Sequence, residues 1–307
     1  MIDEDDVEEL ARSVNNWGRW GEDDEIGTLN LITPDVRRRG AACVRTGRAF
    51  PLGIPLSQAE GIQLGFVPGR INPLRTMVAI NEPVGAWGMR TSDDVVAMGL
   101  QAGTPRDVLA HVSWKGTLYN GFRADTVTAH GATRLGIHRV GAVVGRGVLL
   151  DVARALGLPR LEPGYRITAA DLDAAEELAG AVVGSGDIAV VRTGQMAFLR
   201  EGDLVGYSYP SPGLTTMTVP WLRGRDVAAV AIDTMVFEVY PWENEAIEMP
   251  VHRLHLVEMG LTQGQNWRLD ALADDCAQDG VYEFLLDATP LPFTNATGSP
   301  VNPVAVK

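Results

Sequence analysis

The stretch QAGTPRDVLAH, Gln101 to His111, sets a carboxylate and an imidazole four residues apart. On a helix Asp107 and His111 would share one face, about one turn apart. An aspartate beside an imidazole fixes its tautomer and stabilises its protonated form, as a general acid or base near neutral pH requires. The same letters also read as plain structure. Thr104 suits an N-cap, Pro105 the first helical position, and Asp107 the third, where a carboxylate reaches back to the cap amide. Both readings predict a helix opening at Thr104. Gln101 adds an amide able to donate to, and accept from, a carbonyl or hydroxyl.

Other side chains are candidates for the same pocket, each beside a plainer role. Trp114 and Tyr119 follow in SWKGTLYNG and would form an aromatic wall near His111 or simply pack in the core. His130, next to Gly131, is a candidate pocket residue against a surface role, and His138 reads as surface or loop. Arg192 closes the run DIAVVRT, where α/β proteins place ligand groups; a substrate carboxylate or a structural acid would pair with it. His252 and His255 lie three apart in PVHRLHLVEMGL and could share a face, with His255 read as core or surface. Asp233 and Glu238 read as structural hydrogen-bonding groups. The chain has no phosphate loop, no dinucleotide fingerprint, no nucleophile elbow and no C-x-x-C pair, so no nucleotide cofactor is expected.

QAGTPRDVLAH resembles the H-x-G-T-H-x-D-x-x-x-H motif of the cyclase-family metal hydrolases, a group of bacterial kynurenine formamidases, isatin hydrolases and polyketide-cyclase-like proteins. The resemblance continues in order through WGEDDEIGTLNLIT, RGVLLDVA, GDIAVVRTG, SPGLT, WLRGRDVAAVAIDT, PVHRLHLVEMGL and GSPVNPVAVK, from about residue 17 to the C-terminus. It implies that Asp107 matches a metal-bridging aspartate and His111 a proton shuttle. It further implies that His252 matches a ligand histidine and Gln265 a closing glutamate. The family's first two histidines correspond to Gln101 and Pro105. A neutral amide is a weak ligand and proline is none, so this is a divergent member with an altered ligand set. One divalent ion, zinc or manganese, at Asp107, His252 and Gln265 is the metal arrangement the resemblance leaves open. Without it, Asp107 is free to orient His111.

The elements that must position these residues are partly readable. Short apolar runs GVLLDV and DIAVVRT, with a Thr168-capped, Gly180-ended helix between them, form a β-α-β pattern and predict an α/β fold. Another long strand is expected in DVAAVAIDTMVFEVY, helices in PVHRLHLVEMGL and LDALADDCAQDG, and a late strand in YEFLLDA. Thr33-Pro34 opens a further helix, and residues 50 to 100 read as short strands and loops. DEDDVEEL is expected to be a solvated helix start, and Trp17 and Trp20 to pin an ordered loop. With no repeat or linker, residues 1–307 read as one domain: a mixed sheet or barrel with flanking helices, of the family's swivelling β/β/α type, and an N-terminal arm over about residues 1–45 packed on it.

A formal charge of −13 disfavours nucleic acid and anionic membranes. No apolar run nears the length of a membrane span, and Cys43 and Cys276 read as core filler in a cytoplasmic protein. The family resemblance implies an enzyme that hydrolyses a C–N or C–O bond of a small cyclic or aromatic carbonyl compound, or cyclises one, and a homo-oligomer, dimer or tetramer, as family members commonly form. The alternatives are a metal-free lyase or cyclase of secondary metabolism and a non-catalytic descendant that binds a small molecule.

Overall fold

Two helices open by the same device. At the start of α1 (Glu4–Val14), Asp3 accepts the Asp6 N–H while the Asp6 side chain accepts the Asp3 N–H. Thr168 and Asp171 repeat the exchange at α4 (Ala169–Ala179), which Gly180 closes at φ 59°. The other helices are α2 (Pro34–Ala41), capped by Thr33, α3 (Val152–Ala155), α5 (Met196–Arg200), α6 (Leu204–Ser208), α7 (Val219–Gly224), α8 (Pro250–His252) and α9 (Asp270–Asp279). The computed structural model describes residues 2–59 and 61–307. Among them no helix is long and apolar enough to cross a membrane.

The strands are β1 (Ala49–Pro51), β2 (Leu74–Val84), β3 (Met89–Ala97), β4 (Pro105–Asp107), β5 (Val127–Thr128), β6 (Gly131–Ala132), β7 (Val144–Asp151), β8 (Arg166–Ile167), β9 (Ile188–Arg192), β10 (Gly213–Leu214), β11 (Ala229–Ile232), β12 (Thr262–Gly264), β13 (Glu283–Asp287), β14 (Gly298–Pro300) and β15 (Val304–Val306). Nine of them form one mixed sheet in the order β1-β15-β13-β7-β9-β11-β12-β4-β14. Its middle, β7-β9-β11-β12, is parallel, and both flanks are antiparallel. The expected α/β architecture is therefore present, with β7, α4 and β9 forming the β-α-β unit.

Register fixes which side chains share a face. Asp107 pairs with Gln263, Gln263 with Val230, Val230 with Ala189, and Ala189 with Val148. That face packs against α1, α4 and α7 through Val7, Leu172 and Leu222. Leu149, Val190 and Ala231 point the other way, onto Val36 of α2, Leu272 of α9 and Trp267. Burying both faces explains why the central strands read as unbroken apolar runs.

Three expectations need correction. Residues 50 to 100 hold one long antiparallel hairpin, β2–β3, almost wholly exposed and with two register shifts, rather than several short strands. DVAAVAIDTMVFEVY keeps only four residues of strand, β11, because the chain leaves the sheet at Asp233 to bond with Thr193 and Gly194. No helix begins at Thr104: β4 occupies those residues, sandwiched between β12 and β14, so sheet pairing overrides the local capping signal. The expected helix in PVHRLHLVEMGL exists, but after α8 it widens into a π-helical segment, Arg253–Met259, whose seven residues are all buried.

Gly260 ends that segment at φ 66°, where an added Cβ would lie 2.5 Å from the Tyr119 ring. Gly141 has the same φ of 66° with nothing within 4 Å. Both Gly→Ala changes bear the left-handed backbone cost, and only Gly260→Ala adds the clash. Gly260→Ala is expected to lose about 1–3 kcal/mol more than Gly141→Ala in urea titrations, and equal losses would contradict the packing described.

Candidate functional site

Pairing on both edges holds β4 rigidly. Pro105 sits opposite Pro300 in a pair that exchanges no hydrogen bonds, since the ladder there runs from the Val301 N–H to the Thr104 carbonyl at 2.8 Å. Thr104, the expected cap, instead donates from Oγ1 to the Asn266 carbonyl (3.1 Å) and accepts the Ile54 N–H (2.9 Å). Asp107 is 3% exposed and accepts a hydrogen bond on Oδ2 from Gln265 Nε2 at 2.6 Å. Beyond β4 the chain turns, with the His111 N–H donating to the Val108 carbonyl, and brings His111 Nε2 to 3.8 Å from Asp107 Oδ1. Asp107 is therefore not a capping acid, yet the i,i+4 meeting survives on a turn. The His111 side chain is 21% exposed and gives the carboxylate a route to solvent. Gln101 lies over Gly298, the register partner of Asp107, and donates to Thr297 Oγ1 at 3.5 Å. Gln101, Asp107, His111 and Gln265 thus gather at one place.

Two buried acceptors there, Asp107 Oδ1 and Gln265 Oε1, have no hydrogen-bond donor among the described residues. The arrangement therefore offers a carboxylate oxygen to a protonated imidazole and an amide oxygen to a hydroxyl or amide proton.

Two residues beside Asp107 escaped the sequence reading. Gln263 is its register partner, and its Oε1 faces His255 Nδ1 at 3.3 Å. Gln263 and Gln265 stand two apart on an extended segment and so share a face, a signal available once that segment is recognised as extended. Arg106 projects from the opposite face, 1% exposed, donating to Thr262 Oγ1 at 3.0 Å with no carboxylate partner among the described residues. Burial pushes its pKa down to about 10, partly offset by Asp107.

His252 is buried, but its partner is Glu238, which holds its Nδ1 and also accepts the N–H groups of Val251 and His252 at 3.0 Å. Phe237 stands edge-on to the His252 and His255 rings, with centroids at 6.0 and 5.5 Å. No hydrogen bond or ion pair links His252 to Asp107. Trp114 is half-exposed beneath the Arg253 guanidinium, 4.1 Å from the ring centroid. Tyr119 is fully buried and donates to Asp24 at 3.1 Å; burial and that carboxylate raise its pKa. His130 is exposed at the β5–β6 turn. Arg192 takes the structural option, bonding to Asp151 at 2.9 Å and Asp270 at 3.3 Å. Both cysteines are free and buried.

The donor set does not suit a tightly held dication. Among the described residues no three His, Cys, Asp or Glu side chains converge as a ligand group. The Gln265 amide is oriented to give Asp107 Oδ2 an N–H, and its oxygen is a neutral, weak ligand. The buried Arg106 charge, adjacent in the chain, opposes a second positive charge there.

A family model described as "Putative cyclase" matches residues 42–239. No curated protein matches. Among solved structures, that of a novel cyclase is 38% identical, with a TM-score of 0.88, covering 95% of this chain and 99% of its own. Isatin hydrolase A from Ralstonia solanacearum is 19% identical, with a TM-score of 0.60 over 85% of this chain and 92% of its own. A predicted metal-dependent hydrolase from Bacillus stearothermophilus is 15% identical, with a TM-score of 0.54 over 84% of this chain and 97% of its own. At those last two identities the likeness is one of fold.

Full burial pushes His255 down to about 3, against 6.5 for a free ring. The unfolded chain therefore gains a proton below about pH 6.5 that the fold refuses, so stability present above that pH is lost as pH falls. The slope from this one group approaches about 1.4 kcal/mol per pH unit between the two values. His255→Gln is expected to flatten the fall in unfolding free energy between about pH 6 and 4.5 relative to wild type. Parallel curves would show that His255 is not held neutral.

Proposed function

The chain belongs to the cyclase family, and from that premise we propose that it opens or closes a C–N or C–O bond at the carbonyl of a small cyclic or aromatic compound by acid–base catalysis. The observation that carries this reading is the meeting of His111 Nε2 with the unpaired Oδ1 of buried Asp107 at 3.8 Å. That separation exceeds a hydrogen bond but lies within ion-pair range, so attraction grows when the ring is protonated. A neighbouring carboxylate favours the Nε2–H tautomer, which makes Nδ1 the basic nitrogen in this reading.

In the hydrolytic direction Nδ1 takes a proton from water as its oxygen adds to the carbonyl carbon. The imidazolium, stabilised by Asp107, then returns that proton to the leaving nitrogen or oxygen as the bond breaks, giving an acid and an amine or alcohol. Cyclisation is the same sequence reversed, with water leaving. Gln265 holds Asp107 in place with its N–H group, and its free Oε1 and the Gln101 amide are the groups suited to orient the substrate. No step is routed through a metal ion, since the residues present do not fit one.

The test is a panel of cyclic amides, lactones and N-formyl aromatics, followed by absorbance and proton release, with and without chelator. At least one substrate is expected to turn over unaffected by chelation. On it His111→Gln is expected to lower kcat by about 10²–10⁴-fold, and Asp107→Asn by less. Undiminished kcat in His111→Gln would remove the acid–base assignment. Loss on chelation, restored by zinc or manganese, would transfer the chemistry to a metal. Silence across the whole panel would favour a small-molecule binder.

A further inference from the structure

A cavity of about 770 Å³ opens where β7 and β9 end, lined by Arg154, Arg192, Arg200 and Arg268 together with Asp270 and Asp274. It is separate from the Asp107 site. Asp107 shares its face of the sheet with Ala189, and Arg192 stands three residues beyond Ala189 on the same strand, so pleat alternation sends it to the opposite face. The carboxyl ends of parallel strands are where open α/β sheets collect ligands.

The charges there are unevenly paired. Asp151, fully buried, serves both Arg192 Nη1 at 2.9 Å and Arg154 Nε at 3.1 Å. Asp270 pairs with Arg192 and Arg200, and Asp274 with Arg154. Asp233 also attracts Arg192 while accepting the Thr193 and Gly194 N–H groups, so four guanidinium groups meet four carboxylates and the imbalance is one of pairing. Arg268 is exposed and has no ion pair among the described residues. Arg192, 7% exposed, keeps a buried Nε–H without an acceptor. α9 begins at the cavity edge with Asp270 and Ala271, and Leu269 at its N-cap provides no capping side chain, so the helix dipole adds to the positive field.

A second cavity, of about 500 Å³, adjoins the first through shared Arg200, Arg268 and Asp270. Its wall is mainly apolar, built from Ile54, Ile62, Met196, Leu199 and Leu204. We infer that the two cavities form one binding site for a small organic anion, with a carboxylate held by the guanidinium groups and an apolar body lying against these side chains. A forked guanidinium matches a carboxylate edge, whereas a neutral isostere would leave Arg268 without a counter-charge.

The test is calorimetric titration of the full-length protein with phenylacetate, with neutral phenylacetamide and with inorganic phosphate. Phenylacetate is expected to bind with a Kd below about 1 mM, and phenylacetamide and phosphate at least about ten-fold more weakly. Arg268→Ala and Arg200→Ala are each expected to weaken phenylacetate by about ten-fold, with Arg268→Ala leaving thermal unfolding unchanged. His111→Gln is expected to leave its Kd unchanged. Absence of binding to the wild type, or unchanged affinity in Arg268→Ala, would overturn the inference. Equal affinity for phosphate would remove its apolar half, and loss of binding in His111→Gln would place the anion in the Asp107 site instead.

Discussion

The pairing of β4 on both edges is the constraint from which the rest of the site follows. Three residues caught between β12 and β14 leave Pro105, Arg106 and Asp107 no freedom in where they point. Asp107 must face Gln263 and Gln265, and Arg106 must face the opposite core. A slip of one residue would bury the guanidinium beside His111 and send the carboxylate among Trp267 and its neighbours. Register is thus a chemical choice as well as a structural one.

The surroundings of Asp107 hold three pairs of buried polar groups. Gln265 holds Asp107, Gln263 meets His255, and Glu238 holds His252 while accepting two backbone N–H groups. Such groups are costly to bury without partners, and these bonds offset part of that cost while Asp107 Oδ1 and Gln265 Oε1 stay unpaired among the described residues. The π-helical widening at Arg253–Met259 belongs to the same economy of space. It carries His255 inward, while Gly260, in the left-handed region, lets the chain turn against Tyr119.

How far the sequence foretold this varied with the range of the interaction. Thr168, Asp171 and Gly180 act within a few residues of one another, and the helix they bound is where the sequence places it. The strands Val144–Asp151 and Ile188–Arg192 are buried on both faces and read correctly as apolar runs. The motif segment failed as a helix because Thr104 and Pro105 carry a convincing local signal that distant strands overrule. Residues 262–264 and 298–300, far away in sequence, supply the pairing, and nothing local announces it. The hairpin Leu74–Ala97 was missed for a different reason. It is exposed on both faces, so no burial imposes alternation, and register shifts near Ala79 and Glu82 break what pattern remains. At the site, the Asp107–His111 proximity was legible while its cause was not: a turn, rather than a helix, brings the pair together.

Charge ties these departures to chemistry. Where the family resemblance expects two imidazoles, the chain has Gln101 and Pro105, and where it expects a closing glutamate it has Gln265. Each change lowers the pull on a dication, and Arg106 adds a buried positive charge next to the one remaining carboxylate. Had only the ligands been lost, Asp107 would be an uncompensated buried anion, several kcal/mol out of balance in the order of magnitude usual for such groups. Arg106 lies across the strand, the Gln265 amide donates to one Asp107 oxygen, and His111 stands 3.8 Å from the other. The substitutions are therefore mutually consistent, and they leave one group that can both gain and lose a proton within reach of solvent. In the proposed reading that group is His111, with proton transfer at a carbonyl as its chemistry.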